Sequence, residues 1–227
     1  MHTTKAMRQK VITCITTMEE MFRDYPDTEL NWETDFQLLC AVVMSAQTTD
    51  KQVNVATNKL FPLMKTPKDM LELWEDWLIA CIKTVGLYKW KAKNLMKTAS
   101  MLHAMSTLPD GSDYIIPQDI NEITKLPGVG EKTAKVVLQV LYKQKWVAVD
   151  THVHRVMNRL WIVRTKTPEQ TSKRLEKRIP DEYKDSAHRS IIYFWRYLCT
   201  ARKPQCDRCP LTDLCNYYRN VLSKRSW

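Results

Sequence analysis

Glycine is scarce in this chain, four residues in 227, so each one marks a place where the backbone turns sharply or comes close to something. Long apolar runs are missing too. No stretch approaches the ~20 uncharged apolar residues that a membrane span needs, and Met1 to Lys10 is too polar for the apolar part of a signal peptide. The expectation is an intracellular protein that makes no use of a membrane. Internal repeats and low-complexity tracts are absent, and strand signals are weak almost everywhere. Apolar residues instead recur at helical spacing in segment after segment. What remains is an all-α protein whose helices pack as one irregular bundle or two.

A hydrophobic fraction of 44% is ample for a packed core, in one large domain or two small ones. The net charge of +10 is unevenly spread. Residues 1–144 hold 17 basic and 17 acidic side chains, whereas 145–227 hold 18 and 8. A basic lobe on a neutral body suits a polyanionic partner, with nucleic acid ahead of an anionic membrane because no basic amphipathic anchor is evident. A merely solvated basic surface is the plainer alternative.

Helix boundaries follow from caps and prolines. The pattern predicts helices over 4–24, stopping before Pro26, and over 35–46, the latter apolar enough for a core helix. A third, capped by Thr49 or Asp50, runs to Phe61; 67–74, 78–85 and 88–105 follow, with a loop at TLPDGSDYIIP. Further helices are expected over 119–125, 131–143, 150–160, 167–179 and 181–198.

Two of the four glycines fall within three positions, in LPGVG between two of these helices. Such a turn points backbone N–H groups outward beside a helix N-terminus, and Gly128, Val129 and Gly130 could hold a phosphate with no side chain involved. In the next helix Ala134, Val137, Leu138 and Leu141 make a buried face, with Lys132, Lys135, Gln139 and Lys143 on another; a plain helix-turn-helix corner with a solvated lysine stripe reads equally well. Lys132 stands in the first helical turn, and a neutral lysine is a nucleophile toward electrophilic carbon. Eighteen residues on, the apolar run Trp146 to Val149 delivers Asp150 to a helix start in VDTHVHR. That carboxylate could stabilise developing positive charge or steer a proton; it could equally be a simple cap. His152 and His154 lack metal-ligand spacing and read as structural or hydrogen-bonding residues.

Seven cysteines are present. Cys14, Cys40 and Cys81 sit singly in apolar, helix-like stretches. Cys199, Cys206, Cys209 and Cys215 form a C-x6-C-x2-C-x5-C run that could hold zinc or an iron–sulfur cluster. Arg202 and Lys203, between the first two, would project from its rim toward phosphate.

LPGVGEKTAKVVL followed by VAVDTHVHRVMNRL resembles the helix-hairpin-helix, glycine/proline-rich, aspartate superfamily of DNA glycosylases, and within it the endonuclease III family. LLCAVVMSAQTTDKQVN, TVGLYKWKAKNL and CTARKPQCDRCPLTDLC are similar to further family segments, in the family's order, from about residue 28 to 216. The resemblance implies a six-helix barrel-like domain with the hairpin (28–144), an iron–sulfur domain built from 1–27 and 145–227, and a DNA-binding cleft between the two lobes. It implies a [4Fe-4S] cluster on the four cysteines, Lys132 as nucleophile at C1′ of the damaged nucleotide, and Asp150 assisting. Gln47 would fill the gap left by the flipped base and Leu87 would wedge into the stack, with Gly128, Val129, Gly130, Lys135, His152, Arg202 and Lys203 contacting DNA. The implied activity is a base excision repair glycosylase with AP lyase action on oxidised pyrimidines of the thymine glycol type. Its partner would be double-stranded DNA with a damaged base or abasic site, bound by a monomer. The alternatives are a monofunctional mismatch glycosylase of the same superfamily, a non-catalytic DNA-binding module, or a redox-sensing iron–sulfur protein. Two departures stand out: a loop about six residues longer than in the shorter bacterial form, near DGSDY, and Trp195 where the family often has a small residue.

Overall fold

A computed structural model describes residues 4–108 and 113–222, with no side-chain description beyond Asn220; of the DGSDY stretch only Asp113 and Tyr114 lie within the described residues. Among these the chain forms eleven α-helices and no strand. It divides into two compact units: the first is Thr28–Tyr142, and the second takes the chain up to Asp27 and again from Lys143.

The first unit is built around α2 (Asp35–Ser45), buried continuously from Phe36 to Met44. Each large apolar side chain so buried contributes about 1.5–3 kcal/mol. Thr34 and Gln37 form a reciprocal capping box at its start. Gln37 is fully buried and still satisfied: its amide donates to Phe61 O at 3.0 Å and Met64 O at 2.9 Å, and its carbonyl accepts from Glu33 N at 2.7 Å. Around α2 pack α3 (Asp50–Leu60), α6 (Tyr88–Met105) and α8 (Glu131–Tyr142). Short helices α4 (Pro67–Glu72) and α5 (Glu75–Cys81) lean on α6, and α7 (Ile120–Ile123) on α8. Thr49, rather than Asp50, caps α3.

In the second unit α1 (Lys5–Met21) packs against α11 (Lys184–Tyr197), α11 against α9 (Thr151–Arg159), and α9 against α10 (Pro168–Arg178). Val11, Ile15 and Met18 from α1, Val153 and Met157 from α9, and Ile191 and Phe194 from α11 share one core with Val147 and Val149 of the apolar run. N- and C-terminal segments thus build a single body.

Several helices are shorter than the sequence pattern predicts, and two of the differences have a local cause. The helix expected over 78–85 occupies Glu75–Cys81, because two acidic residues in its first turn suit the positive dipole end and the chain after Ile82 tightens into a turn, Val85 N donating to Ile82 O at 2.9 Å. The segment expected as one helix over 181–198 begins with a separate 3₁₀ turn, Asp181–Tyr183, closed by Tyr183 N donating to Pro180 O at 3.0 Å.

Candidate nucleic-acid interface and metal centre

Between α7 and α8 the chain makes a tight corner. Asp119 caps α7, accepting from Asn121 N at 2.8 Å and Glu122 N at 3.1 Å. Leu126 and Val129 turn under the corner and are buried, and Thr98 donates its hydroxyl to Pro127 O at 3.1 Å. Gly128 has φ +83°, and a Cβ there would crowd Asn94 Cβ at 3.2 Å and Val43 Cγ1 at 3.3 Å, so its glycine is required by the fold. Gly130 differs: a Cβ there would meet nothing within 4 Å. The internal packing leaves that position open to a close external approach.

Lys132 is exposed in the first turn of α8, above a face in which Ala134, Val137 and Leu138 are buried and Leu141 half-buried. The lysine stripe is narrower than its spacing suggests. Lys135 is only 5% exposed, with its ammonium 3.0 Å from Glu131 one turn earlier, and Gln139 is buried too. The long lysine stem covers apolar surface while its head reaches a carboxylate.

Gln47 and Leu87 stand on two turns of the same unit, both exposed and both at φ 57°. Leu87, 61% exposed, opens α6. Left-handed backbone at a non-glycine residue costs roughly 1–2 kcal/mol and persists only where its surroundings hold it. Bonded to the residues on either side of Gln47 is Lys91, a residue that sequence reasoning passed over as one lysine among several in α6. Its signal was register: Lys91 shares the buried stripe of Ala92, Leu95, Thr98, Ala99 and Leu102. It is 1% exposed, and its ammonium donates to Met44 O at 2.8 Å, Ala46 O at 2.5 Å and Thr48 Oγ1 at 3.2 Å. Burial pushes its pKa down to about 8. The folded chain therefore holds this proton less tightly than an unfolded lysine does, and the resulting penalty is relieved as pH rises from about 8 toward 10.5. Between pH 7.5 and pH 10 the urea midpoint of the wild type should rise relative to that of Lys91→Met; a constant gap would show that burial leaves the amine's proton affinity unchanged.

In the second unit Asp150 sits at the N-cap of α9, one carboxylate oxygen accepting from His152 N and Val153 N, both at 2.8 Å. Trp195, foreign to the family pattern, finds a partner: its ring stacks on His152 with centroids 3.4 Å apart and planes at 14°. His154 faces Thr171, Nδ1 to Oγ1 at 2.6 Å, in the structural role expected of it.

None of the seven cysteines is paired in a disulfide. Cys199, Cys206, Cys209 and Cys215 lie on the loop after α11, near enough to influence one another electrostatically, and burial pushes the thiols of Cys199, Cys206 and Cys209 up, the last to about 11. N–H donors approach the sulfurs. Arg159 Nη1 is 3.3 Å from Cys199 Sγ, and Tyr218 N is 3.5 Å from Cys215 Sγ. Donors of this kind support thiolate ligands of iron–sulfur clusters. In a four-iron cluster each iron takes one thiolate, and four thiols with N–H donors beside two of the sulfurs supply that set. The four residues fit such a cluster. Arg159 also donates to the carbonyls of Cys199, Thr200 and Ala201, which fixes the start of the loop, and Arg202 and Lys203 are exposed on it.

Residues 40–181 match the superfamily described as HhH-GPD superfamily base excision DNA repair protein, and residues 199–215 match the iron–sulfur binding domain of endonuclease III. Endonuclease III of Rickettsia conorii is 44% identical over 198 residues, 86% of this chain and 90% of that protein. Endonuclease III of Escherichia coli K12 is 44% identical over 197 residues, 87% and 90% of the two chains. A solved trapped endonuclease III–DNA covalent intermediate superposes with a TM-score of 0.85 at 40% identity, covering 95% of this chain and 98% of that one. The chain therefore belongs to the HhH-GPD superfamily and, within it, to the endonuclease III family. It is a base excision repair DNA glycosylase that carries a [4Fe-4S] cluster.

Proposed function

We propose that this chain is a bifunctional glycosylase and AP lyase that acts, as a monomer, on double-stranded DNA carrying an oxidised pyrimidine of the thymine glycol type or an abasic site, inside the cell. The observation that carries the reading is Lys132: an exposed primary amine in the first turn of α8, two residues after the open Gly130. The neutral amine attacks C1′ and forms a C–N bond while the glycosidic bond breaks, its electrons leaving with the base. Loss of a proton and opening of the sugar give a Schiff base. β-Elimination then removes a C2′ proton and expels the 3′ phosphate, cutting the strand 3′ to the lesion. Asp150 assists by stabilising developing positive charge or steering a proton. Gly128, Val129 and Gly130 offer backbone to a phosphate, Gln47 and Leu87 enter the stack, and His152, Arg202 and Lys203 contact the strand. Cys199, Cys206, Cys209 and Cys215 hold the cluster, which braces the Arg202 and Lys203 rim and takes no part in the bond changes. We assign the hairpin domain to 28–144 and the cluster domain to 1–27 with 145–227.

The test is borohydride reduction in the presence of a thymine glycol duplex, which should trap a covalent protein–DNA adduct. No adduct on any damaged pyrimidine would sink the lyase assignment.

The two hairpin glycines should respond differently to alanine. Gly130→Ala should melt within about 2 °C of wild type, since the added methyl meets open space, yet bind duplex about tenfold more weakly because it intrudes on the approaching backbone. Gly128→Ala should lose about 1–3 kcal/mol of stability through its positive φ and its crowding of Asn94. Wild-type affinity in Gly130→Ala would remove the hairpin from the interface.

A further inference from the structure

The turn carrying Gln47 and the turn carrying Leu87 are joined by a small, fully used set of hydrogen bonds. Lys91 spends all three ammonium protons on the first turn, on Met44 O, Ala46 O and Thr48 Oγ1. Its backbone N–H donates at 3.0 Å to Leu87 O on the second. The Thr48 hydroxyl also accepts from Gly86 N at 3.1 Å. Gly86 packs so closely against the first turn that a Cβ would stand 3.3 Å from Gln47 O and 3.4 Å from Thr48 Oγ1.

We propose that Lys91 is a positioning residue that locks the Gln47 and Leu87 turns into one register, so that filler and wedge enter the duplex as a preassembled pair. This rests on the roles given above to Gln47 and Leu87. A buried ammonium is an expensive way to fill space; a methionine of similar length would pack there without desolvating a charge. What the ammonium adds is direction. It draws two carbonyls left over at the end of α2, and a hydroxyl beyond them, toward the first turn of α6. Both inserting residues hold left-handed backbone, which a loose turn would abandon. Fixing both before DNA arrives removes an ordering cost from the flipping step, where misplacement by about 1 Å can cost up to a hundredfold in rate.

The lock matters only where a stack must be opened and a hole filled. The experiment compares single-turnover base release from thymine glycol paired in a duplex with release from the same lesion in an unpaired bubble, for wild type, Lys91→Met and Thr48→Val. Thr48→Val keeps the branched shape and both carbonyl bonds of Lys91 while removing the hydroxyl shared with Gly86, so it decides the matter should Lys91→Met fail to fold. The expected result is a duplex-to-bubble rate ratio lowered about tenfold or more in each folded variant. An unchanged ratio in Thr48→Val, or duplex and bubble rates falling together, would overturn the lock and leave Lys91 with a role in stability alone. A wild type inactive on both substrates would instead remove the glycosylase reading on which the lock depends.

Discussion

Replacing Lys132 with glutamine should end borohydride trapping and lower strand scission at thymine glycol by about four orders of magnitude or more, the scale seen when a covalent nucleophile is lost. Little else should move. Lys132 is exposed, glutamine is nearly as good a helix former, and α8 is held by Ala134, Val137 and Leu138 on its other side. Melting should stay within the ±0.5 kcal/mol usual for surface changes. Duplex affinity should drop no more than the loss of one cation near phosphate requires, with a salt slope about one unit shallower. A non-catalytic DNA-binding module predicts the reverse of this split, because its function would survive the change intact. Full scission by Lys132→Gln would therefore move the nucleophile elsewhere or abolish it. Retained trapping with lost base release would separate the lyase from the glycosylase.

The contrast between Lys132 and its neighbours shows which parts of the site were legible in sequence. Local chemistry was readable. Thr49, Thr66 and Thr167 cap the helices whose starts they mark, and Pro67 and Pro168 occupy first helical turns, because these preferences act within four residues. The hairpin was readable for the same reason, since Gly128 meets a backbone demand that few other residues satisfy. Cysteine spacing was readable because four thiols so close in sequence need few further facts. Lysines were the hard case. Lys132, Lys135 and Lys91 look alike in a string of residues, yet one is exposed, one is buried against Glu131, and one closes a buried network between two turns. Their fates are decided by carbonyls and carboxylates brought up by the fold, which periodicity does not contain. Trp195 belongs with them. It stands where the family often has a small residue, and only the packed helices reveal the imidazole of His152 as its partner.

Asp150 caps α9 and is proposed to assist the chemistry, and two substitutions separate the two roles. Its carboxylate caps α9 through two 2.8 Å bonds from His152 N and Val153 N. Asparagine caps about as well, since one side-chain oxygen suffices to accept both, so Asp150→Asn should leave thermal stability nearly unchanged. Alanine cannot cap, and Asp150→Ala should lose about 1 kcal/mol, or roughly 2–4 °C in a chain of this size. Neither variant carries the negative charge. If that charge assists the departure of the base or the movement of a proton, both should lose about 10²–10⁴-fold in base release, with the two activity losses alike and the two stabilities different. Activity that followed stability instead, near wild type in Asp150→Asn and reduced only in Asp150→Ala, would make Asp150 a cap alone. The side chain that positions α9 would then have no further part in the chemistry, and the charge opposite the developing cation would have to come from another residue.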